Sequence, residues 1–518
     1  MNVGHLLTRA AQQHPDRPAW IQGKATITYR EAEARVNGLA HALRDLGGRP
    51  GDRVAMLLPN CYQGLETILA PMKVRMAVVP MNVRLPAADH AYEVNDSGAF
   101  ALVYAAEFRE HVASIRESLT SVRHFIVVGA DAGDDLAYEA IISPAPAPAI
   151  LDDDPEDLAW LFYTSGTTGQ PKGAMLSHRN LLAMANNFLT VINPAVTTDV
   201  LLHSAPITHG SGLSMLHHLA RGAANAIPET SHFDPPVIFA AIERTRATTM
   251  FLVPTMINIL MSSPEVSQYD LSSLHTVVYG GGPVYKDQIA QAIETFGDVF
   301  VQLFGQGEAP MTITCLPKDE HRANGDPRRA RRLRSAGREV TGVRVRVVDA
   351  VGNDLPVGET GEICVRGDLV MQGYWGNAEA TAETLRGGWL HTGDMGHLDE
   401  DGYLYLTDRI KDLIISGGAN VYPRRVEDAI ARHPAVSEVA VVGVPDPKWG
   451  EAVKAVVALR DDAQVSADDL LDLCRSALAN FEVPKSVDFL PELPKNAYGK
   501  VLKREIREPY WAGRARRV

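Results

Sequence analysis

The sequence is poor in several features that mark particular classes of protein. It has only 4 cysteines, and none of them forms a C-x-x-C pair. This usage argues against a disulfide framework or a zinc knuckle and fits the reducing cytosol. The chain also lacks a run of about 18 apolar residues, so we expect no integral membrane segment. Its first residues lack the apolar core of a signal peptide, and we therefore expect a cytoplasmic protein.

Positive charge is in deficit, with 50 Lys and Arg residues against 63 Asp and Glu residues. The formal net charge is −13 at pH 7 and the pI is near 5.7. This balance argues against a broad nucleic-acid-binding surface, so no nucleic acid is expected as a partner. One basic run, RRARRLR at 328–334, is interpreted as a solvated loop, with a docking patch for an anionic partner as the alternative. A homo-oligomer is left open because no sequence feature bears on it.

The order of the predicted elements indicates an α/β fold. The chain has 518 residues, enough for two to four domains or subdomains. Thr28 and Glu31 form a capping box before a helical apolar pattern that ends at Gly47. Further helical stretches alternate with short apolar runs such as 158–164 and 274–282. This alternation predicts layered, largely parallel sheets covered by helices.

The character of the sequence changes after about residue 407. A helix is predicted from Pro423, and strands are predicted at 436–444 and 452–459. Another predicted helix begins with the pair Ser466 and Asp469. These elements indicate a small α+β unit, so we predict a large domain over 1–407 and a small one over 408–518.

The segment YTSGTTGQPKG, residues 163–173, is the strongest chemical signal. A predicted strand runs directly into a loop of glycines and small hydroxyl residues. Its glycines allow a ligand to approach the backbone closely, while Ser165, Thr167 and Thr168 offer hydroxyl donors. Lys172 adds a cation, and the combination suits a triphosphate. The spacing does not match the Walker A loop.

This segment resembles the phosphate-binding signature of the adenylate-forming superfamily, which includes acyl-CoA synthetases, peptide-synthetase adenylation domains and luciferases. Further stretches that are similar to the family's signatures follow in the family's order: APITHGSG (205–212), YGGGP (279–283), QLFGQGEAP (302–310), GWLHTGDMG (388–396), TDRIKDLIISGGANVYPRRVE (407–427) and LPKNAYGKVLKRE (493–505). The resemblance covers essentially the whole chain. It implies an ATP-dependent acyl-CoA synthetase that forms acyl-AMP, releases pyrophosphate and AMP, and uses ATP, Mg²⁺ and coenzyme A.

The resemblance also implies roles for individual residues. Glu308 is expected to hold Mg²⁺, Lys500 to catalyse adenylation, and His209 to lie at the mouth of the acyl pocket. The small domain is expected to be mobile, with its hinge at Lys411 and the coenzyme A tunnel at Gly417 and Gly418. The expected contacts to ATP or AMP are Thr164, Ser165, Gly166, Thr167, Thr168, Gly169, Lys172, Gly280, Gly281, Gly282, Pro283, Phe304, Gly305, Asp394 and Arg409.

Two positions depart from the family pattern Tyr-Gly-x-Thr-Glu. Phe304 stands where an adenine-stacking tyrosine is usual, which keeps the ring and loses the hydroxyl. Gly307 stands where a threonine usually contacts the α-phosphate. The second change removes one hydrogen bond to phosphate, about 1.5–3 kcal/mol if nothing replaces it.

The segments expected to form the acyl pocket are mostly apolar or small. The residues that represent them are Ile207, Gly210, Val253, Ala309 and Met311. The short motif segments among them contain no lysine or arginine, which disfavours a second carboxylate on the substrate. A medium- or long-chain fatty acid is therefore the first expectation, and an aryl or cyclic acid the second.

Two other function classes stay open. One is an adenylation enzyme that loads a carrier protein, although no carrier domain follows Val518 in the sequence. The other is a non-catalytic nucleotide-binding protein on the same fold. Intact Lys172, Glu308, Asp394 and Lys500 argue against this second class, whereas Gly307 favours it.

Overall fold

The computed structural model of the protein describes residues 1–129, 132–143, 154–164, 170–230, 232–282, 286–322, 326–409, 412–416, 419–495 and 501–512. Within these ranges no helix has the length and apolar character needed to cross a membrane.

The strands, in chain order, are β1 (Pro18–Gln22), β2 (Ala25–Thr28), β3 (Arg53–Leu57), β4 (Ala77–Pro80), β5 (Ala101–Ala105), β6 (His124–Val128), β7 (Leu136–Ala137), β8 (Leu158–Thr164), β9 (Lys172–Ser177), β10 (Val200–Leu202), β11 (Ala224–Ile227), β12 (Thr249–Leu252), β13 (Thr276–Tyr279), β14 (Phe300–Gln306), β15 (Ala309–Leu316), β16 (Arg338–Glu339), β17 (Val343–Val348), β18 (Gly361–Gly367), β19 (Leu390–Leu398), β20 (Leu404–Arg409), β21 (Ile414–Ser416), β22 (Ala419–Val421), β23 (Val436–Asp446), β24 (Gly450–Leu459) and β25 (Ser486–Phe489).

The α-helices are α1 (His5–Gln13), α2 (Tyr29–Asp45), α3 (Tyr62–Lys73), α4 (Ala87–Ser97), α5 (Arg109–Ile115), α6 (Tyr138–Ile141), α7 (His178–Asn187), α8 (Gly210–Leu219), α9 (Pro235–Thr245), α10 (Pro254–Ser262), α11 (Lys286–Phe296), α12 (Pro327–Arg332), α13 (Ala378–Thr384), α14 (Pro423–Ile430), α15 (Ala467–Ala477) and α16 (Lys503–Trp511). The short helix α12 replaces the loop that was expected for the basic run, because Asp326 caps its first turn. Arg332 at its end pairs with Glu320 at 3.0 Å.

The chain divides into two compact units. The first comprises residues 1–284, 288–345 and 365–390, and the second comprises residues 285–287, 346–364 and 391–518. The functional division into domains 1–407 and 408–518 stays a prediction.

Two large sheets form the frame of the first unit. One has the strand order β7-β6-β5-β3-β4-β8-β9, in which every pairing is parallel except β8 with β9. The other has the order β16-β15-β14-β13-β12-β10-β11-β1-β2, and its central strands are also parallel. Because parallel strands need crossover connections, helices alternate with them along the chain. The predicted α/β class is confirmed.

In both sheets the parallel order ends in an antiparallel hairpin. Strand β8 turns back into β9, and β14 turns back into β15. The central strands are buried; every residue of β5 and of β13 is buried, for example. The hairpin strands are also largely buried, so the turns that join them are anchored in the core.

The second unit is built on smaller sheets. Strands β17-β18-β19-β20 form one, and β22-β21-β24-β23 form another, in which β25 also pairs with β24. Valines of β23 and β24 pack with α14 and α15 in a separate core. This α+β unit agrees with the expectation of a small second domain of that class.

Local helix signals in the sequence are confirmed. The Thr28 side chain accepts from the Glu31 backbone while the Glu31 carboxylate accepts from Thr28, so both halves of that capping box are present. Ser466 and Asp469 form the same motif at α15. Helix α2 buries the apolar pattern that was predicted for it, including Val36, Leu39 and Leu43, and Gly47 after it has a φ of +88°, a backbone conformation that favours glycine.

Candidate active site

A buried carboxylate lies where the hairpin β14–β15 meets the end of β8. Glu308 is in the turn of that hairpin and is only 7% exposed. Its Oε1 accepts hydrogen bonds from the Thr164 hydroxyl at 3.1 Å and from the Tyr374 hydroxyl at 2.8 Å. Two hydroxyl groups from distant parts of the chain therefore orient one carboxylate.

A lysine lies over the ring of the tyrosine that donates to this carboxylate. Lys172 pairs with Thr164 across the β8–β9 ladder, and its Nζ is 5.2 Å from the centre of the Tyr374 ring. Burial, followed by the nearby charge of Glu308, raises the pKa of Tyr374, so its phenol stays protonated and donates. The cluster of Thr164, Lys172, Glu308 and Tyr374 thus combines hydroxyl donors, a cation and a carboxylate, which we name the Glu308 cluster.

Packing, not backbone conformation, explains the glycine at position 307. Its φ is outside the left-handed region, so other residues can adopt this backbone. A Cβ atom there would lie 2.4 Å from Thr164 Cγ2 and 2.8 Å from Phe162 Cδ1. The Phe162 ring and the Thr164 methyl group therefore occupy the space that a threonine at 307 would need.

His209 lies next to the same aromatic ring. It directly precedes α8, and its ring meets the Phe162 ring edge to face, with 5.1 Å between centroids. Its Nδ1 is 3.0 Å from the Thr208 hydroxyl. Burial lowers the pKa of His209 to about 3, so the imidazole is neutral at physiological pH. A neutral ring is compatible with the predicted place of His209 at the mouth of an acyl pocket.

Two of the predicted acyl-pocket positions lie close to one another. A Cβ at Gly210 would be 2.9 Å from the Phe251 ring, so only glycine leaves room for that ring. The Ser214 hydroxyl donates to the Gly210 carbonyl at 2.8 Å and lies 3.9 Å from the Met311 sulfur. Met311 has a φ of +58°, which is unusual for a residue with a side chain and is typical of strained segments at functional sites.

The other predicted acyl-pocket positions have different surroundings. Ile207 is fully buried and faces α3, where a Cβ at Gly64 would be 2.4 Å from its Cδ1. Ala309 is fully buried opposite Gln306 in the hairpin. Val253 caps α10, and a Cβ at Gly281 would be 3.7 Å from its Cγ1.

The predicted adenine-binding turn follows β13. A Cβ at Gly280 would lie 2.5 Å from the Leu303 carbonyl oxygen, and Gly281 has a φ of +77°. Gly282 completes the turn. Phe304 is on the neighbouring parallel strand β14 and is 8% exposed. A Cβ at Gly305 would lie about 2.5 Å from the Met311 backbone, so the two strands of the hairpin are in close contact there.

The second unit brings together the two residues expected to contact ribose. Asp394 of β19 and Arg409 of β20 are directly paired in the antiparallel ladder. The backbone N–H of Asp394 donates to the Thr392 hydroxyl at 3.1 Å. The remaining predicted site residues lie outside the described residues: Ser165, Gly166, Thr167, Thr168, Gly169, Pro283, Lys411, Gly417, Gly418 and Lys500.

Sequence reasoning missed two residues of this site. Tyr374 contacts Glu308, yet its segment MQGYW carries no charge or glycine pattern that would single it out. Phe162 lies just before the glycine-rich loop, in a predicted strand whose other residues are also mostly apolar, so the sequence does not single it out. The glycine at 307, where the family pattern has threonine, was the one sequence feature that bears on Phe162, because the Phe162 ring lies 2.8 Å from where a Cβ at 307 would be.

Comparison with known proteins gives the family. Residues 7–375 match the family model for AMP-binding enzymes, and residues 425–500 match the model for the C-terminal domain of these enzymes. The chain belongs to the AMP-binding enzyme family. The resemblance to the adenylate-forming superfamily is therefore confirmed, and the protein is an enzyme of the acid–thiol ligase class.

Relatives of this ligase are similar over nearly their whole length. A feruloyl-CoA synthase from Amycolatopsis sp is 40% identical over 98% of this chain and 99% of the relative. The medium/long-chain-fatty-acid–CoA ligase FadD8 of Mycobacterium tuberculosis is 35% identical over 99% of this chain and 91% of the relative. Among solved structures, the amide bond synthetase McbA from Marinactinospora thermotolerans has a TM-score of 0.88 at 33% identity, covering 97% of this chain and 99% of that chain.

Proposed function

We propose that this ligase activates an aromatic carboxylic acid with ATP and passes the acyl group from acyl-AMP to coenzyme A. The observation that carries the proposal is the Glu308 cluster, in which two hydroxyl groups hold the carboxylate and Lys172 Nζ lies 5.2 Å from the centre of the Tyr374 ring. Such a set of groups suits a metal-bound polyphosphate. The choice of coenzyme A as acceptor rests on the resemblance and on the names of the relatives.

In the first half-reaction, a carboxylate oxygen of the acid attacks the α-phosphorus of ATP. A new P–O bond forms, and pyrophosphate leaves with the electron pair of the broken bond. Both reactants are anions, so the barrier is largely electrostatic and fixed cations lower it. We assign this role to Lys172 and to Lys500, together with hydroxyl donors of the loop 164–168.

Magnesium is the implied metal, and Glu308 fits it. Carboxylate oxygens are the hard ligands that Mg²⁺ prefers, and this ion commonly bridges a protein carboxylate and substrate phosphates. Both hydrogen bonds that the structure describes on the Glu308 carboxylate end on Oε1, so Glu308 would hold the metal through a carboxylate that is already oriented. When bound, the metal neutralises phosphate charge.

The residues near His209 favour an aromatic acid over a fatty acid. Phe162 meets His209 edge to face, and Phe251 fills the space beside Gly210. Aromatic rings pack well against one another in such offset and edge-on arrangements. The 40% identity to a feruloyl-CoA synthase, against 35% to a fatty-acid ligase, supports the same order. We therefore place an aryl acid before the fatty acid that the sequence alone favoured.

In the second half-reaction, the thiol of coenzyme A attacks the acyl carbon and AMP leaves. We propose that residues 408–518 turn about Lys411 between the two steps. This motion withdraws Lys500 and brings Gly417 and Gly418 to the thiol, as in hinge-type switches generally. The predicted cytoplasmic location stays a prediction.

The test is pyrophosphate release from ATP and Mg²⁺ with cinnamic, benzoic and fatty acids, each with and without coenzyme A. We expect turnover that needs both an acid and coenzyme A, with aryl acids giving the highest kcat/KM. The Lys500→Ala variant is the control: it should lose adenylation while still converting supplied acyl-AMP and coenzyme A to the thioester.

Other outcomes distinguish the alternatives. Turnover that prefers fatty acids would overturn the assignment of an aryl substrate, but the proposed acyl-CoA ligase activity would stand. Turnover with an amine in place of coenzyme A would point to the chemistry named for McbA. Single-turnover release that is indifferent to coenzyme A and to amines would favour a carrier protein as acceptor. ATP binding without release for any acid would support the non-catalytic reading.

A further inference from the structure

A thiol, an imidazole and a carboxylate converge in the second unit, away from the Glu308 cluster along the chain. Glu362 and Cys364 are two residues apart on β18, so they lie on one side of that strand, and His391 is on β19. One ligand atom from each of the three residues lies within 4.8 Å of the others. None of them is used in the proposed reaction.

The distances within this trio are close to those of a metal site. His391 Nδ1 is 2.7 Å from Glu362 Oε2 and 3.3 Å from Cys364 Sγ. Ligands around a tetrahedral zinc ion, at about 2.0–2.3 Å from the metal, are about 3.3–3.8 Å from one another. The carboxylate and the imidazole would therefore have to move apart by no more than about 1 Å to make room for an ion between the three residues.

The trio is also sheltered. Cys364 is fully buried, the His391 side chain is 6% exposed and the Glu362 side chain is 13% exposed. A cation that enters on the carboxylate side would therefore meet three donors that are already ordered by packing. Preordered ligands lose little conformational entropy on binding, which raises affinity.

We propose that Glu362, Cys364 and His391 form a binding site for one zinc-class divalent cation. Sulfur, nitrogen and oxygen donors in this combination suit a borderline-soft ion such as Zn²⁺, whereas Mg²⁺ prefers oxygen alone. The thiol and the ring nitrogen that bind give up their protons on binding. Three protein ligands leave the fourth position to water.

The same carboxylate holds the strand that carries Asp394. Glu362 Oε1 accepts the backbone N–H of Gly393 at 3.3 Å, and the Thr392 hydroxyl donates to the Ile363 carbonyl at 2.7 Å. Gly393 has a φ of +68°, so its backbone depends on these contacts to keep one conformation. A metal that draws Glu362 inward releases Gly393 and misplaces Asp394. Because Asp394 is expected to contact the ribose of ATP, bound metal should weaken ATP binding. This effect on ATP rests on the proposed function, whereas metal binding itself does not.

The first experiment measures binding on the full-length enzyme without ATP, by Zn²⁺ titration calorimetry and by the absorption of Co²⁺. We expect one tight site per chain and a thiolate-to-Co²⁺ charge-transfer band. Cys364→Val, which keeps a strand-forming side chain of similar size, should lose the band and weaken the affinity at least tenfold. Cys474→Ala, which alters another buried thiol of the same unit, should retain both.

The second experiment measures ATP kinetics in saturating Mg²⁺. Zn²⁺ should raise the KM for ATP of the wild type and leave the KM of Cys364→Val unchanged. Equal binding by the wild type and Cys364→Val, or no thiolate band in the wild type, would overturn the site. If Cys364→Val does not fold, Glu362→Gln replaces it with the same expectations for affinity. Metal binding that does not change the KM for ATP would support the metal site and refute only the proposed effect of the metal on Asp394.

Discussion

The hairpins β8–β9 and β14–β15 lie near one end of each sheet of the first unit, and they are built in different ways. The first is joined by residues 165–171, a segment of glycines and hydroxyl residues that is readable from the sequence. The second is joined by Gly307 and Glu308 alone. Its glycine is set by Phe162 and Thr164, and its carboxylate by Thr164 and Tyr374.

The difference separates two ways of building a ligand site. A loop rich in donors offers several interchangeable hydrogen bonds, so each one contributes little by itself. A two-residue turn presents one carboxylate, whose position depends on a few packed neighbours. The first kind of site should tolerate single substitutions, and the second should not.

The largest expected effect is on the carboxylate of the short turn. Glu308→Gln keeps the size of the side chain and removes the charge that we assign to the metal. We expect the rate of pyrophosphate release to fall by about 10²–10³, as when one preorganised electrostatic group is lost. Circular dichroism checks the fold, and a raised Mg²⁺ requirement should accompany the loss. A variant that retains more than a tenth of the activity would remove Glu308 from the metal site.

Acid should destabilise the sheet that carries the short turn. Burial lowers the pKa values of His203, His218 and His321 to about 4 each, below the value of about 6.5 in an unfolded chain. As the pH falls below 6.5, the unfolded state takes up protons that the folded state does not. Stability is therefore lost between pH 6.5 and pH 4, by about 1 kcal/mol per histidine at pH 5.5.

Thermal unfolding at pH 7.5 and pH 5.5 measures this loss. His218→Gln removes one titrating ring, so the difference between the two pH values should shrink. An unchanged unfolding midpoint between these pH values would mean that the three rings do not stay neutral in the folded protein.

Substitution of the glycine in the short turn should destabilise the protein, because neighbouring side chains leave no room for a Cβ atom. Gly307→Ala places a Cβ against Phe162 and Thr164, and we expect a loss of about 1–3 kcal/mol in the free energy of unfolding. Adding Phe162→Leu should recover part of it, because the smaller side chain vacates the site. Gly282→Ala is the matched control for stability, since its Cβ would meet no atom closer than 3.6 Å. Additive effects of the substitutions at 307 and 162 would argue against their coupling.

A smaller effect is expected at Tyr374. Tyr374→Phe removes one hydrogen bond to the Glu308 carboxylate and keeps the ring beside Lys172. Hydrogen bonds to charged groups contribute about 1.5–3 kcal/mol, so kcat/KM for ATP should fall about tenfold or more. Steady-state kinetics with ATP as the varied substrate provide the measurement. A value equal to that of the wild type would show that Thr164 alone orients the carboxylate.

The smallest effect is expected in the long loop. Ser165→Ala removes one hydroxyl from a segment in which Thr167 and Thr168 offer the same group. We expect kcat/KM for ATP to fall only about two- to fivefold, less than a lone hydrogen bond to a charged group would give. A loss larger than that of Tyr374→Phe would reverse the comparison between the two hairpins.

The sequence by itself determined the α/β class, the capping boxes at Thr28 and Ser466, and the donor-rich loop after β8. Each of these depends on residues that are near one another in the chain, so a local pattern records them. The motifs also predicted Asp394 and Arg409 as ribose contacts, but they did not predict that the two residues pair in one ladder.

The tertiary structure alone decided what surrounds those motifs. Thr164 and Glu308 are 144 residues apart in the chain, and Tyr374 is 66 residues beyond Glu308. Their contacts depend on how two sheets and a later segment fold together, which no local pattern encodes. The same reason explains Gly307: Phe162, a residue of another sheet, occupies the space that a side chain at position 307 would need. Residue types that carry chemistry can be read from the chain, but the neighbours that fix their position arise only from packing.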